Sequence, residues 1–281
     1  MLNALTIDVE DYFHVTAFEQ VIERQKWECM ETRIERNCEK LLLILDEYKV
    51  KATFFVLGWV AERYPVLIRT IFNEGHEIAS HGFYHKMITR QSQASFIRDI
   101  VAAKNVLEDI TGNKVNGYRA PTFSIINSSL WALNILCEHG FTYDSSIFPI
   151  KHDRYGIPDA NRFPHIITVN GTGSIKEFPP STIKLFGWNV PIAGGAYLRF
   201  LPAEFIAWGI HQINKAEKQP AIIYLHPWEL DPDQPRIAIN GLSRLRHYFN
   251  LSATERKLRY LIKRCNFTTL NKIALQLFRN N

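Results

Sequence analysis

The feature that most constrains the fold of this chain is the alternation of short apolar runs with amphipathic runs through its first two thirds. Residues 4–9, 51–57 and 221–225 are short, apolar and rich in β-branched or aromatic side chains, which predicts buried strands. Residues 33–48 place Leu and Ile at helical spacing, which predicts an amphipathic helix. Repeated strand–helix units predict a parallel sheet with right-handed crossovers, and 281 residues is an ordinary length for a closed α/β barrel.

Further elements follow from the same periodicities. Shorter strands are predicted for residues 76–80, 115–119 and 141–144, and helices for residues 60–73, 92–110, 128–138, 203–218 and 252–264. Ser92 or Ser95 is the expected N-cap of the helix 92–110, and Gly112 follows its end. Residues 163–200 are rich in Gly and Pro and predict hairpins.

Nearly every predicted strand ends in a polar residue that can do chemistry. These strand-end residues are Asp8, Glu10, His81, Arg119, Asp144 and His226. Active sites of (β/α) barrels lie at the carboxyl ends of the strands, so this pattern favours a barrel with one site at that face. The competing layout is an open doubly wound sheet. It has less support, because no Gly-rich phosphate loop follows the first strand.

Composition excludes several classes of function. The net charge is +5, and the basic run 255–264 is interpreted as a solvated helix face rather than a site for anionic lipid or nucleic acid. The sequence has no basic run with interleaved aromatic residues, the pattern that predicts a nucleic-acid-binding groove, so nucleic-acid binding is not predicted. The longest apolar stretch, residues 52–61, is about half of a membrane span, so no transmembrane segment is predicted. Peripheral contact with the inner face of a membrane stays open.

The cysteines and the N-terminal residues bear on the compartment. The four cysteines are scattered without a C-x-x-C pair, which speaks against a disulfide framework and fits a reducing compartment. No basic n-region or small-residue cleavage site precedes the first strand, so no signal peptide is predicted. The expected location is therefore the cytoplasm.

A pair of histidines, His81 and His85, is the first candidate for chemistry. If a helix begins after His81, residues four apart face the same way and both imidazoles can reach one metal ion. Two imidazoles and one carboxylate are the usual set that holds a catalytic divalent metal with one position open for water. Histidines at this spacing are also often ordinary core or surface residues. The metal interpretation gains its weight from the acidic cluster at the start of the chain.

That acidic cluster is Asp8-Val9-Glu10-Asp11, directly after a buried strand. In a strand Asp8 and Glu10 point to one side and Asp11 to the other. Of Asp8 and Glu10, one carboxylate could bind the metal while the other takes a proton from metal-bound water. The alternative is a helix N-cap or a solvated acidic turn.

Two further strand ends complete the candidate set. Arg119 could hold a carboxylate through two hydrogen bonds and fix its orientation, although a plain surface arginine fits the sequence equally well. His226, followed by Pro227, lies at the mouth of a late buried strand and suits a general acid.

Taken in order, these motifs resemble the polysaccharide deacetylases of the NodB-homology type, which form carbohydrate esterase family four. The resemblance is close to one branch, the deacetylases associated with exosortase (PEP-CTERM) exopolysaccharide loci. The segments that carry the resemblance are residues 6–13, 52–58, 75–85, 118–121, 143–146, 225–227 and 244–248. The combined order is highly specific, although each motif alone is not.

The resemblance implies a distorted (β/α) barrel of seven strands. It implies a single domain over residues 1–281, with a core of about 1–230 and a helical extension of about 231–281. Carried over position by position, Asp8 matches the catalytic base and Arg119 the arginine that orients it. His81 and His85 match the metal-binding histidines, and His226 matches the general acid.

Two positions stay open in this comparison. The commonest family pattern has two adjacent aspartates, so either Glu10 or Asp11 could be the third metal ligand; Glu10 is favoured because it shares a strand face with Asp8. Asp144 could be the aspartate that tunes the acid histidine.

The predicted function is a metal-dependent hydrolase, with zinc as the expected ion, that removes N-acetyl groups from N-acetylhexosamine residues of a polysaccharide in exopolysaccharide biosynthesis. Its partner is an N-acetylated glycan, and the sequence does not specify an oligomeric state. Four aromatic residues are candidates for stacking on the sugar rings, with ordinary core packing as the alternative. They are Phe186, Trp188, Tyr197 and Trp228. One alternative is hydrolysis of a small cyclic amide, as in allantoinase-like relatives. Another is a non-catalytic glycan-binding relative, which predicts a broken site.

Overall fold

The computed structural model of this chain describes residues 1–169, 171, 173–239 and 241–279. The strands are β1 (Leu2–Val9), β2 (Thr53–Val56), β3 (Glu77–Ser80), β4 (Gly117–Tyr118), β5 (Tyr143–Asp144), β6 (His165–Val169), β7 (Gly173–Glu177), β8 (Thr182–Leu185), β9 (Trp188–Pro191), β10 (Ile222–Leu225) and β11 (Asn266–Thr268). The helices are α1 (Ile34–Glu47), α2 (Gly58–Arg63), α3 (Pro65–Asn73), α4 (Gln93–Thr111), α5 (Trp131–Glu138), α6 (Ala196–Phe200), α7 (Ala203–Lys215), α8 (Gly241–Tyr248), α9 (Thr254–Arg264) and α10 (Leu270–Leu277).

A parallel sheet forms the centre of the molecule. Within the described part of the chain, seven parallel strands follow one another in the order β10, β1, β2, β3, β4, β5 and β7. Strand β6 pairs with β7 in the antiparallel direction, and β11 pairs with the start of β1. The fold is therefore the predicted distorted (β/α) barrel with a run of seven parallel strands.

The barrel is distorted where β7 and β10 would meet. Two chain segments lie beside β10 there: Ser181 donates its N–H to the carbonyl of Ile222 (3.1 Å), and the N–H of Tyr224 reaches the carbonyl of Ala193 (2.7 Å). These contacts leave the carboxyl end of β10, and with it His226, next to the carboxyl end of β1.

The helices pack their apolar faces on this sheet. The predicted face of α1 is confirmed, since Leu41, Leu42, Ile44 and Leu45 are all buried. Ser92 is the N-cap of α4, and its hydroxyl accepts the N–H of Ser95 at 3.2 Å. Gly112 ends that helix with φ of 66°, a left-handed conformation that costs glycine least.

Several predicted boundaries are wrong. The single helix predicted for 60–73 is two helices, because Pro65 cannot continue α2 and instead begins α3. The strands predicted for 51–57 and 115–119 are shorter than expected. The hairpins predicted within 163–200 are present as β6–β7 and β8–β9; positions 170 and 172 lie outside the described residues.

The extension after residue 230 is not only helical. Strand β11 follows α9 and adds to the sheet, with Asn3 and Ala4 of β1 paired to Phe267 and Thr268. Helix α10 then closes the amino-terminal end of the barrel: Leu270 donates its N–H to Oγ1 of Thr53 at 2.8 Å. Strand β11 has only three residues, and a segment this short does not show the alternating pattern from which a strand is predicted. Positions 280 and 281 of the predicted domain lie outside the described residues.

No helix in the described ranges is long and apolar enough to cross a membrane.

Candidate active site

The acidic residues after β1 have separate roles in the structure. Asp8 and Glu10 are buried and both line one cavity, whereas Asp11 does not line it. The carboxylate of Asp11 accepts the N–H groups of Tyr12 (2.8 Å), Arg33 (2.6 Å) and Ile34 (3.1 Å), and so it caps a 3₁₀ turn and the start of α1. Burial raises the pKa of Asp11 to about 6, although these hydrogen bonds oppose the shift. Asp11 is therefore a structural cap.

Glu10 meets both histidines of the predicted metal-binding pair. Its Oε1 lies 2.9 Å from Nε2 of His81 and 3.0 Å from Nε2 of His85. All three side chains are buried, and their ligand atoms lie within 4.8 Å of one another. The structure thus brings together Glu10, His81 and His85, the three residues favoured as metal ligands.

The histidines do not converge through a helix, which corrects the expected geometry. Residues 81–87 form an irregular loop in which Gly82 has φ of 73° and His85 has φ of 51°. Asp99 on α4 holds this loop, since its Oδ2 accepts the N–H of Phe83 at 2.8 Å. Asp99 was not singled out from the sequence. Its one signal is an acidic side chain on the buried face of α4.

The chemistry of this triad fits a divalent cation. Nδ1 of His81 lies 2.8 Å from the carbonyl oxygen of Arg119, so Nδ1 carries the proton and donates it there. In the neutral ring, Nε2 then presents a lone pair toward the Glu10 carboxylate. The Nε2 lone pair and the carboxylate oxygen are both acceptors, and a cation bound between them would stabilise this close approach. Imidazole nitrogen and carboxylate oxygen are the ligands of catalytic zinc sites, so the residues fit that ion.

Electrostatics keep Glu10 ionised. Burial alone would raise the pKa of Glu10, but the nearby His85 and His226 hold it well below its usual value. A carboxylate that stays charged while buried is suited to hold a cation.

Asp8 pairs with Arg119 through one hydrogen bond, not through the two that were predicted. Nη1 of the fully buried Arg119 donates to Oδ1 of Asp8 at 2.6 Å. The guanidinium is fixed by Thr6 Oγ1 at 2.8 Å and by the carbonyl and hydroxyl of Ser145 at 3.1 and 2.8 Å. It also lies over the ring of Phe55, 4.1 Å from the centroid. Arg119 therefore holds one oxygen of Asp8 and leaves Oδ2 toward the cavity.

His226 faces this carboxylate from the other side of the cavity. Its Nε2 lies 3.9 Å from Oδ2 of Asp8 and 3.9 Å from Oε1 of Glu10. Burial would lower the pKa of His226, but Glu10, Glu229 and Asp8 together raise it to about 9. The ring is therefore protonated at neutral pH, the state that a general acid requires.

The residue that orients His226 is Glu229, not Asp144. Oε1 of Glu229 lies 2.7 Å from Nδ1 of His226, and its Oε2 accepts Nε of Arg199 at 2.7 Å. Burial would raise the pKa of Glu229, but Arg199 and His226 lower it to about 2.

Asp144 instead accepts the hydroxyl of Ser146 at 2.6 Å and lies beside Glu177, away from the cavity lining. The interpretation of Asp144 as the tuning residue is therefore wrong. Glu229 had a weak signal in the sequence, an acidic side chain three residues after His226.

The cavity around these groups has a volume of about 340 Å³ and aromatic walls. Of the four aromatic residues predicted to stack on sugars, Tyr197 and Trp228 line it. Phe186 and Trp188 lie at the β8–β9 turn, are 100% and 71% exposed, and are not among the lining residues. The extension after residue 230 also contributes to the wall, through Ser243, Arg246 and His247.

A strained turn forms another part of the wall. Thr122 and Phe123 both have positive φ (57° and 51°), a conformation that is costly for a β-branched and a bulky side chain. The hydroxyl of Thr122 is held at 2.6 Å by that of Thr16. Strain of this kind concentrates at functional sites, which agrees with the position of the turn on the cavity wall.

The fold is a (β/α) barrel with a buried carboxylate–histidine cluster at the carboxyl ends of its strands. Residues 27–143 match the family model described as polysaccharide deacetylase, and residues 145–275 match a domain of unknown function, DUF3473. Residues 27–143 are thus similar to the polysaccharide deacetylases, the family that the sequence motifs resemble.

Individual curated proteins are similar to part of this chain. A peptidoglycan-N-acetylglucosamine deacetylase of Bacillus cereus is 33% identical over 94 residues, which cover 33% of this chain and 34% of that protein. The chain spans about a third of the length of the curated relatives it matches.

Two solved structures share the fold. A putative polysaccharide deacetylase from Mycobacterium smegmatis has a TM-score of 0.64 at 21% identity, over 98% of this chain and 88% of that one. An allantoinase has a TM-score of 0.63 at 14% identity, over 99% and 90%. At these identities the two structures show the fold and do not indicate the substrate of this chain.

Proposed function

We propose that this protein is a metal-dependent hydrolase that removes N-acetyl groups from N-acetylhexosamine residues of a polysaccharide. The observation that carries the proposal is the convergence of two sets of side chains on one cavity. Glu10, His81 and His85 form a compact ligand set, and Asp8 and His226 face each other beside it.

The ligand set supplies a place for the cofactor. Glu10, His81 and His85 would hold a divalent ion, in the first place zinc, which when bound polarises a carbonyl and lowers the pKa of water from about 15.7 toward 7. The backbone contact of His81 with Arg119 fixes which nitrogen is offered to the ion.

Asp8 is the proposed base. Arg119 holds its Oδ1, so Oδ2 is the oxygen that takes the proton of the water attacking the acetamide carbon. The Arg119 contacts to Thr6 and Ser145 keep the carboxylate from rotating. A positioned base of this kind contributes about 10²–10⁴-fold to the rate.

His226 is the proposed acid. It is protonated and holds its proton on Nε2, the nitrogen that faces Asp8, because Nδ1 is engaged by Glu229. Transfer of that proton to the departing nitrogen breaks the C–N bond and yields acetate and a free amino sugar.

The predicted alternatives make different demands on this site. A non-catalytic glycan-binding relative predicts a broken site, whereas here the candidate base, ligands and acid all line one cavity. An allantoinase-like hydrolase shares the fold, so substrate comparison decides that case: turnover of allantoin together with no acetate release from N-acetylglucosamine oligomers would favour it.

The experiment that tests the proposal is acetate release from N-acetylglucosamine oligomers by metal-loaded protein, with and without a chelator. Asp8→Asn should lose at least about 10²-fold in rate while its metal content stays unchanged. Asp109→Asn, an exposed carboxylate on α4, is the matched control and should behave as the wild type. Wild-type rates in both the chelated protein and Asp8→Asn would overturn the mechanism.

The role in exopolysaccharide biosynthesis, the exosortase-associated branch and the cytoplasmic location stay predictions. The resemblance of residues 244–248 to that branch supports the first two. Loss of free amino sugars from the exopolysaccharide of a strain without this protein tests the first prediction, and cell fractionation tests the third.

A further inference from the structure

Two arginines from distant parts of the chain lie on one wall of the catalytic cavity. Arg154 follows β5 in the segment before β6, and Arg246 lies on α8. Both line the same cavity as Asp8 and His226. Neither takes part in the proposed chemistry.

The charge of these arginines is incompletely balanced. One carboxylate, Asp153, lies 3.9 Å from Nε of Arg154 and 4.0 Å from Nη1 of Arg246. N–H···O hydrogen bonds are about 2.7–3.2 Å long, so both contacts are ion pairs without a hydrogen bond. The Asp153 side chain is 59% exposed and is shared between two cations. The wall therefore carries an excess of positive charge with hydrogen-bond donors to spare.

The other charged groups of the cavity are engaged elsewhere. Arg199 is satisfied by Glu229 and by the carbonyl of His247 at 2.6 Å. Asp8 is paired with Arg119, and Glu10 with two histidines. Within the described lining, Arg154 and Arg246 are thus the guanidinium groups left for a ligand.

An aromatic surface lies beside the arginines. The ring of His152 stacks on Tyr155 with centroids 3.9 Å apart and planes at 16°, and both rings line the cavity. Burial lowers the pKa of His152; Asp153 opposes that shift, and Arg246 and Arg154 add to it. A flat ring next to cationic donors is the arrangement that contacts both the face of a sugar and a charged group on it.

We propose that Arg154 and Arg246 form a subsite for the carboxylate of an acidic sugar in the acetylated glycan, so that the substrate is an anionic polymer. This inference rests on the proposed function. Guanidinium groups bind carboxylates through paired hydrogen bonds, and the group between the two arginines in the free protein is itself a carboxylate, that of Asp153.

The position of the subsite in the chain agrees with a role in specificity. Both arginines lie within residues 145–275, the segment that matches the domain of unknown function, and outside residues 27–143. His226, the proposed acid, lies in the same segment, whereas His81 and His85 lie in residues 27–143. The segment 145–275 therefore contributes both the subsite and the acid to the cavity.

The test is equilibrium binding of two oligosaccharides of equal length to the full chain carrying Asp8→Asn, so that neither ligand is consumed. One probe alternates N-acetylglucosamine with glucuronic acid, and the other contains N-acetylglucosamine alone. We expect the acidic probe to bind about tenfold more tightly at about 50 mM salt, with the preference shrinking at about 300 mM. Equal affinities at low salt would overturn the inference.

Variants make the test specific. Replacing both arginines, Arg154→Gln with Arg246→Gln, should reduce the preference to within about twofold, whereas Asp153→Asn should increase it because the competing carboxylate is removed. Arg256→Gln, an exposed arginine on α9 outside the cavity, is the matched control and should keep the wild-type preference. A preference that survives the double replacement contradicts the assignment.

This readout separates the two proposals. Suppose that Asp8→Asn prefers the acidic probe but the metal-loaded wild-type protein releases no acetate from either glycan. That result would remove the proposed function and leave the subsite. Acetate release with equal affinity for both probes would remove the subsite and leave the proposed function.

Discussion

Nδ1 of His226 lies 2.7 Å from Oε1 of Glu229, and this contact ties the proposed general acid to a buried arginine. Oε2 of Glu229 accepts Nε of Arg199, whose Nη1 in turn donates to the carbonyl of His247. The ring of Trp228 lies between those of His226 and His247, with centroids 5.1 and 4.3 Å away. The segment after residue 230 therefore helps to fix the acid in place.

Glu229→Gln should lower kcat by about 10²-fold, because the His226 ring loses the charged partner that orients it and favours its protonated form. Metal content should not change, since Glu229 does not belong to the ligand set. Steady-state kinetics and metal analysis on the same sample check both statements. Arg199 would be left buried without its carboxylate, so we also expect a loss of about 3 kcal/mol in the free energy of unfolding. An unchanged kcat in folded protein would contradict the role of Glu229.

The loop that carries both histidines depends on Gly82. A Cβ at Gly82 would lie 2.7 Å from Oδ2 of Asp99, the atom that holds the loop, and the residue has φ of 73°. Gly82→Ala should therefore lower metal affinity by at least about tenfold, measured by competition with a chelator. Gly112→Ala is the matched control: its φ is 66°, yet nothing lies within 4 Å of the added Cβ. It should cost about 1 kcal/mol of stability and leave metal affinity unchanged. Equal effects of the two variants would rule out this explanation.

His76 should make stability depend on pH far from the catalytic site. It is buried, its Nδ1 accepts the N–H of Ala52 at 3.1 Å, and burial lowers its pKa to about 4. Between about pH 6.5 and 4 the unfolded chain binds a proton that the folded chain does not, so the unfolding free energy falls as the pH falls. We expect this residue to contribute about 1–2 kcal/mol of that loss between pH 7 and pH 5.

Denaturant titrations at several pH values measure this slope, and His76→Gln should flatten it. Wild type and His76→Gln with parallel pH profiles would show that the residue does not titrate as described.

The positions of the main candidate residues followed from one physical regularity. Polar residues directly after buried strands meet at the carboxyl edge of a parallel barrel, and this brought Asp8, Glu10 and His226 into one cavity, with Arg119 paired to Asp8. Asp144 obeys the same pattern but turns to Ser146 and Glu177, because local hydrogen bonds of a buried side chain are not encoded in strand periodicity.

Other parts of the site depend on tertiary contacts that spacing does not report. Asp99 reaches the histidine loop from α4, and Arg199 reaches Glu229 across 30 residues of sequence. His81 and His85 lie close together for a different reason than predicted. Left-handed residues in a loop bring them together, whereas helical spacing was expected to do so. Arg154 and Arg246 share a wall only because α8 packs near the segment after β5.

The account rests on one cation held by Glu10, His81 and His85, and an anomalous difference map from crystals grown with zinc tests it most directly. The account predicts a single strong peak about 2.0–2.2 Å from an oxygen of Glu10 and from Nε2 of both histidines. Asp11 should stay bound to the N–H groups of Arg33 and Ile34, and the peak should vanish in Glu10→Gln but persist in Asp11→Asn. A map without a peak at these three side chains, or a peak held by Asp11, would contradict it.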